Sequence, residues 1–184
     1  MTKDAENKPQ AGSMQLDETL KGMLIDHVPH ARAIGLEIVW AEKARARLKV
    51  PYASHLVGNP DTGVIHGGVI TTMLDNACGV ATQMALGEPS AIATLDLRID
   101  YMRPAEPKLD IFGEAHCFKV TKSVAFVRGT AFHDDINNPI ATCMSAFMLA
   151  ANRAGPPSSG MREKIMGEMD KLAGKDGPKT RGEG

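Results

Sequence analysis

The sequence predicts an α+β fold in which a curved antiparallel sheet wraps around one long central helix. Three observations lead there. The longest apolar stretch, Gly68 to Leu86, is about five turns long, and its apolar residues cover most of a helical circumference. Two segments before it, 36–40 and 44–50, alternate roughly by two, the period of a strand. The four segments that follow it are joined by short turns, so neighbours are expected to pair antiparallel. A helix that is apolar nearly all round has to be enclosed, and in this chain the strands are what can enclose it.

In chain order, residues 1–13 read as a flexible tail, polar and rich in Lys, Glu, Asn, Pro and Gly. Gln15 to about Val28 reads as an amphipathic helix carrying Leu16, Leu20, Met23, Leu24 and His27 on one side; Pro29 either ends it or opens a new turn. Residues 36–40 and 44–50 form a hairpin, the second strand turning Arg45, Arg47 and Lys49 outward. Residues 51–65 form a loop marked by Pro51, Gly58, Asn59, Pro60, Asp61 and Gly63. The central helix follows and is stopped by Gly87-Glu88-Pro89. Strands are expected at about 91–102, 109–121, 123–133 and 139–150, with turns at Pro104–Pro107, Thr121–Ser123 and Asp134–Pro139. The folded domain is thus 14–151. Residues 152–184 form a polar tail with one short helix at about 160–173, striped by Met161, Ile165, Met169 and Leu172.

The bulk properties narrow the function. At 184 residues the chain holds one domain, and 43% hydrophobic residues supply a core. A formal net charge of −1 gives no electrostatic reason to expect nucleic acid or an anionic membrane as partner. No segment reads as a signal peptide or as a bilayer span, and a cytoplasmic location is expected. The three cysteines, at 78, 117 and 143, make neither a disulfide framework nor a zinc motif; they are expected as buried, reduced thiols. His27 and His30 have ligand spacing, but Pro29 stands between them, and no metal site is expected.

Chemistry concentrates between His66 and Asp75. His66, Gly67 and Gly68 lie where the central helix begins, and the first N–H groups of a helix have no intrahelical acceptor. They carry partial positive charge, and two glycines allow close approach to them, which suits a thioester carbonyl or an oxyanion. Asp75 is the single acid of the helix, at a position where burial would be costly without a structural or catalytic partner. Gly67 and Asp75 are eight residues apart, hence roughly 12 Å along one helix axis. A carbonyl held by the Gly67 amide therefore cannot be attacked by Asp75 of the same helix. If both serve one site, two antiparallel copies of the helix must face each other, and the expected assembly is a homodimer or a dimer of dimers with shared sites.

An HGG turn with an acid nine positions after the His, the apolar helix behind it, the strand end Tyr101-Met102-Arg103-Pro104-Ala105 and the Lys122–Phe126 turn resemble the hotdog-fold acyl-CoA thioesterases of the 4-hydroxybenzoyl-CoA and phenylacetate-pathway type. The resemblance spans about residues 30–150. It implies a hotdog fold and hydrolysis of an acyl-CoA to a free acid and coenzyme A, with no cofactor beyond the substrate. Residue by residue, it implies that Asp75 activates water or attacks as a nucleophile, and that the Gly67 amide polarises the carbonyl. It further implies that His66 orients the turn or contacts the thioester, and that Thr94 helps to hold the water. Many relatives carry an Asn six positions before the His; here that position is Pro60, and Asn59 takes the role if the loop shifts by one. Coenzyme A carries phosphates, so a binder should place Lys or Arg near the mouth of the site. The candidates are Arg98, Arg103, Lys119, Lys122 and Arg128, of which Arg103 and Lys122 sit at strand ends or turns. Ser123 is expected on the pantetheine and Gly68 beside the substrate.

Two other readings compete. A non-catalytic acyl-CoA-binding module on the same fold would have no need of Asp75. A hotdog dehydratase would pair a His with an acid in a different local pattern, which this chain lacks.

Overall fold

The computed structural model describes residues 21–150 except His27, with nothing said of the Met23 and Asp26 side chains. The expected tails, the first part of the N-terminal helix and the short helix at 160–173 lie outside the described residues. Within them, a π-helical turn at Gly22–Asp26 precedes a short helix α1, Pro29–Ala33. Pro29 therefore opens a new turn, at the start of a helix where its missing N–H costs nothing.

A six-stranded sheet forms the body of the fold, with spatial order β1-β2-β6-β7-β8-β5. Its strands are β1 Glu37–Glu42, β2 Arg45–Val50, β5 Ile92–Tyr101, β6 Ile111–Val120, β7 Val124–Phe132 and β8 Ala141–Leu149. All of its pairings are antiparallel. The expected strands are all present, and one adjacency departs from expectation. β5 precedes β6 in the chain, yet it pairs with β8 at the far edge, because loop 102–110 carries the chain across the sheet. His133 pins that loop: one ring nitrogen accepts the Glu106 N–H at 2.9 Å and the other lies 2.7 Å from the Asp110 carbonyl. Residues 51–65 are also more ordered than a loop. They contain a 3-10 turn, Ser54–Leu56, and a small antiparallel pair of β3 Val57–Asn59 with β4 Val64–Ile65.

The central helix α2 runs Gly67–Leu86 and packs on β2, β6 and β7. It stops at Gly87, whose φ of 74° is the left-handed conformation that glycine adopts without strain. The alternation in β2 works as its sequence pattern requires: Ala46, Leu48 and Val50 are buried against the helix. Met73 and Leu74 from α2, Ile111 from β6 and Val127 from β7 complete the core. On the other face, Arg47 is more than a solvated charge. Its guanidinium lies 5.5 Å from the Trp40 ring and 5.3 Å from the Phe132 ring, and pairs with Glu114 at 2.6 Å.

All three cysteines are free and buried. Cys78 of α2 and Cys143 of β8 bring their sulfurs to 3.7 Å. That contact holds the Cys78 thiol well above its usual range and Cys143 below it. Gly129 of β7 leaves room for this pair; a methyl group there would lie 2.8 Å from the Cys143 sulfur. Gly129→Ala is therefore expected to destabilise the fold by about 1–3 kcal/mol in urea unfolding. In a Cys143→Ala background the penalty should fall by more than half. An undiminished penalty would contradict this packing.

Candidate active site

The start of α2 has an unusual division of hydrogen bonds. His66 is the N-cap, extended at φ −63° and ψ 134°, and its Nδ1 accepts the Gly68 N–H at 2.9 Å. An accepting Nδ1 places the proton of the neutral ring on Nε2. The Val69 N–H donates to the His66 carbonyl at 2.9 Å. Among the described residues none accepts the Gly67 N–H, so one donor of the first turn is left free beside two residues without side chains. The turn is held from behind. The His66 N–H donates to the Leu56 carbonyl at 2.9 Å, and Gly58 packs so closely that a Cβ there would lie 2.9 Å from the His66 Cα.

Tyr101, the last residue of β5, reaches this turn from the opposite side. Its hydroxyl donates to the Gly67 carbonyl at 2.7 Å and lies 2.9 Å from the Thr71 hydroxyl. Tyr101 has one hydroxyl proton, so with that proton on Gly67 the second contact is made by Thr71 donating to the phenol oxygen. A cavity of about 350 Å³ opens beside the turn, lined by Gly67, Ile70, Tyr101, Met102 and Arg103 among others.

Two turns further along the helix, Asp75 accepts a hydrogen bond from the Thr94 hydroxyl at 2.9 Å. Thr94 stands at an irregularity in the β5–β8 register, between Thr94 and Asp96. Such a bulge re-aims a side chain. Asp75 corrects one expectation. It is half-buried, because α2 is not enclosed all round: Gly68, Thr71, Thr72, Asp75, Asn76 and Gly79 form a stripe left partly open. Polar residues between the apolar positions account for this, and the helix buries three sides rather than four.

The structure thus gathers the expected site residues into two clusters on one helix. His66, Gly67 and Gly68 form the first; Asp75 and Thr94 form the second. Asn59 joins neither. Its side-chain oxygen accepts the Asp61 N–H at 3.0 Å and its carbonyl accepts the Gly63 N–H at 2.9 Å, the usual work of a turn residue. Arg103 borders the first cluster through the cavity, but its guanidinium is engaged by Asn138 at 3.0 and 3.2 Å and by Glu106 at 3.5 Å. Lys122 and Ser123 are exposed at the β6–β7 turn. The Ser123 carbonyl accepts the Leu149 N–H at 2.8 Å, which sets that turn near the Thr94 end of β5. Sequence reasoning missed Tyr101, Thr71 and Gly58 as parts of the site. The first was visible only as a member of the Tyr-Met-Arg-Pro-Ala segment. Among the described residues no group of three or more His, Cys, Asp or Glu could hold a metal ion. Nor is any described helix long and apolar enough to cross a membrane.

Residues 62–140 match the Thioesterase superfamily. The medium/long-chain acyl-CoA thioesterase YigI of Salmonella typhimurium is 31% identical over 146 residues, covering 69% of this chain and 89% of that protein. The chain belongs to the thioesterase superfamily. With that membership comes the hotdog fold, as the HGG turn and the spaced acid lead one to expect. Other curated relatives match over shorter stretches, the chain spanning 61% of their length. Among solved structures, a Pseudomonas aeruginosa protein is 44% identical, with a TM-score of 0.64 over 68% of this chain and 93% of that one. A point mutant of the phenylacetic acid degradation protein PaaI from Thermus thermophilus shares the fold at a TM-score of 0.57 and 19% identity, over 65% of this chain and 97% of that one.

The capping geometry makes a prediction that is independent of catalysis. Asn is among the best N-cap residues, so His66→Asn should keep the stability of the unmodified protein in urea unfolding. His66→Ala should lose about 0.5–2 kcal/mol. Equal losses in the two variants would show that His66 does not act as a cap.

Proposed function

We propose that this chain hydrolyses an acyl-CoA to a free carboxylic acid and coenzyme A, at sites completed by a second copy of the chain. The observation that carries the proposal is the pairing of a free Gly67 N–H with a Thr94-held Asp75 on the open stripe of one helix. The thioester carbonyl oxygen accepts the Gly67 N–H, and the positive end of α2 stabilises the charge that grows on that oxygen as the carbonyl is attacked. Asp75 of the second copy delivers the attack, either by taking a proton from a water molecule or by adding to the carbonyl itself, followed by hydrolysis of the anhydride. The Thr94 hydroxyl proton is spent on one carboxylate oxygen. This leaves the other oxygen for the reaction and the Thr94 lone pairs for a water. Carbon–sulfur cleavage releases coenzyme A, which leaves as the thiol once protonated. The base or nucleophile and the donor that polarises the carbonyl are both supplied by the chain, so the scheme calls for no cofactor.

Several features support the shared site. Gly67 and Asp75 are roughly 12 Å apart along their own helix, too far to meet at one carbonyl. The open stripe of α2 lies where the free edge strand β5 runs, and β5 is exposed along most of its length, Leu95 at 56%. In one chain Arg103 lies at the Gly67 end of β5, and Lys122 and Ser123 near the Thr94 end. An antiparallel second copy would bring both sets to one substrate, Lys122 and Arg103 toward the phosphates of coenzyme A and Ser123 toward its pantetheine arm. Similarity to the Salmonella medium/long-chain acyl-CoA thioesterase favours an acyl-CoA substrate of medium or long chain.

Asp75→Asn removes the base or nucleophile. Gly67→Pro removes the amide donor at a position where proline is favoured, the first of a helix, and the extended His66 backbone already suits a residue preceding proline. The Tyr101 side chain, 3.3 Å from a Cβ there, has to give by a few tenths of an ångström. With an acyl-CoA panel spanning aryl and straight chains, each variant should lower kcat by about 100-fold or more while melting within a few degrees of the unmodified protein. Undiminished hydrolysis by Asp75→Asn would remove the mechanism. No hydrolysis of any panel member by the unmodified protein would favour an acyl-CoA-binding module.

A further inference from the structure

We infer that Tyr101 is a positioning residue for the Gly67 amide, so that one strand, β5, sets both halves of the chemistry. The inference rests on the reading that this amide receives the thioester carbonyl. The peptide unit between Gly67 and Gly68 is held at both ends. Its oxygen takes the Tyr101 hydroxyl at 2.7 Å and its nitrogen gives a hydrogen bond to His66 Nδ1 at 2.9 Å. The peptide unit before it is held through its oxygen by the Val69 N–H at 2.9 Å. The free Gly67 N–H belongs to that preceding unit. Its direction is therefore set by the two held planes and by the φ and ψ of Gly67 that join them.

Glycine gives this turn no stiffness of its own. The restraint has to come from outside: Leu56 and Gly58 back the turn, and Tyr101 reaches the Gly67 carbonyl from β5, 34 residues along the chain. Its side chain also stands over the glycine: a Cβ at position 67 would meet the Tyr101 hydroxyl at 3.3 Å and its Cζ at 3.5 Å. Thr71 joins the same network, 2.9 Å from the phenol oxygen and 3.2 Å from the Gly67 carbonyl. Tyr101 is half-exposed, so water could satisfy its hydroxyl equally well. Its hydrogen bond therefore adds little stability, and what it supplies is direction. At the other end of β5, Thr94 does the same for Asp75. The strand thus carries two hydroxyls, one aimed at the group that binds the carbonyl oxygen and one at the group that drives the attack.

Tyr101→Phe tests the inference, because it removes the hydroxyl and keeps the ring. Steady-state kinetics on an acyl-CoA hydrolysed by the unmodified protein should show kcat lowered about tenfold and KM within about twofold. The melting temperature should shift by no more than about 2 °C. Asp75→Asn, measured alongside, separates the two levels of the reading. An inactive Asp75→Asn beside a Tyr101→Phe at full kcat would overturn the inference and leave the mechanism standing. Full activity in Asp75→Asn would overturn both. A loss in Tyr101→Phe carried by KM alone would make Tyr101 a substrate contact and overturn the positioning role. Loss of kcat in step with a large drop in melting temperature would reduce it to a structural tie. Amide exchange followed by NMR gives a readout without substrate: the Gly68 N–H should exchange at least about fivefold faster in Tyr101→Phe, and an unchanged rate would overturn the inference.

Discussion

An α-helix rises about 1.5 Å per residue, and nothing a protein does to its side chains changes that. Here the rise separates a free backbone amide at Gly67 from a carboxylate at Asp75, and the rest of the molecule is arranged around that separation. The sheet encloses α2 on the sides where Met73, Leu74, Ala77 and Cys78 point and leaves open the side that carries Gly68, Thr71, Thr72, Asp75 and Asn76. In the proposed dimer, this open stripe beside the free sheet edge is half of a site. Its polar groups are ordered without a partner, which means that a second copy would meet a prepared surface rather than induce one.

The preparation is done by hydrogen bonds from elements distant in sequence. Leu56 and Gly58 back the HGG turn, His66 caps it, Tyr101 ties it to β5, and Thr94 ties Asp75 to the other end of the same strand. The crossover of loop 102–110 matters for this reason. Had β5 paired with β6, its neighbour in the chain, it would lie at the centre of the sheet. By pairing with β8 it becomes the edge that runs beside the open stripe of the helix. The fold thereby places both hydroxyls beside the two groups proposed to carry the chemistry.

Much of this was legible in the amino-acid sequence. Alternation located the first two strands, since it is imposed by a one-sided core and β2 shows it without exception, and the four later strands were marked by strand-like segments between turn signals. The position of α2 followed from its apolar density and its glycine stop. The spacing of His66 and Asp75 drew attention to the two groups that geometry then keeps apart. What was not legible depends on long-range adjacency. Strand order is decided by a loop crossing that no local pattern announces. The apolar count of α2 overstated its enclosure, because threonine, asparagine and glycine also sit comfortably on a half-open face. A turn asparagine and a catalytic one are the same residue type, so the sequence alone did not show that the Asn59 side chain is engaged by the Asp61 N–H within its own loop. Tyr101 had no signal of its own, since its meaning lies in a contact 34 residues away.

The central claim, that each site takes its amide from one chain and its carboxylate from another, is tested most directly by mixing two inactive variants. Asp75→Asn and Gly67→Pro, unfolded and refolded together in equal amounts, should form mixed dimers with one fully wild-type site each. Random pairing makes half of the dimers mixed, so the account predicts recovery of about a quarter of the unmodified activity. A mixture as inactive as its components, with mixed dimers shown to have formed, would contradict it.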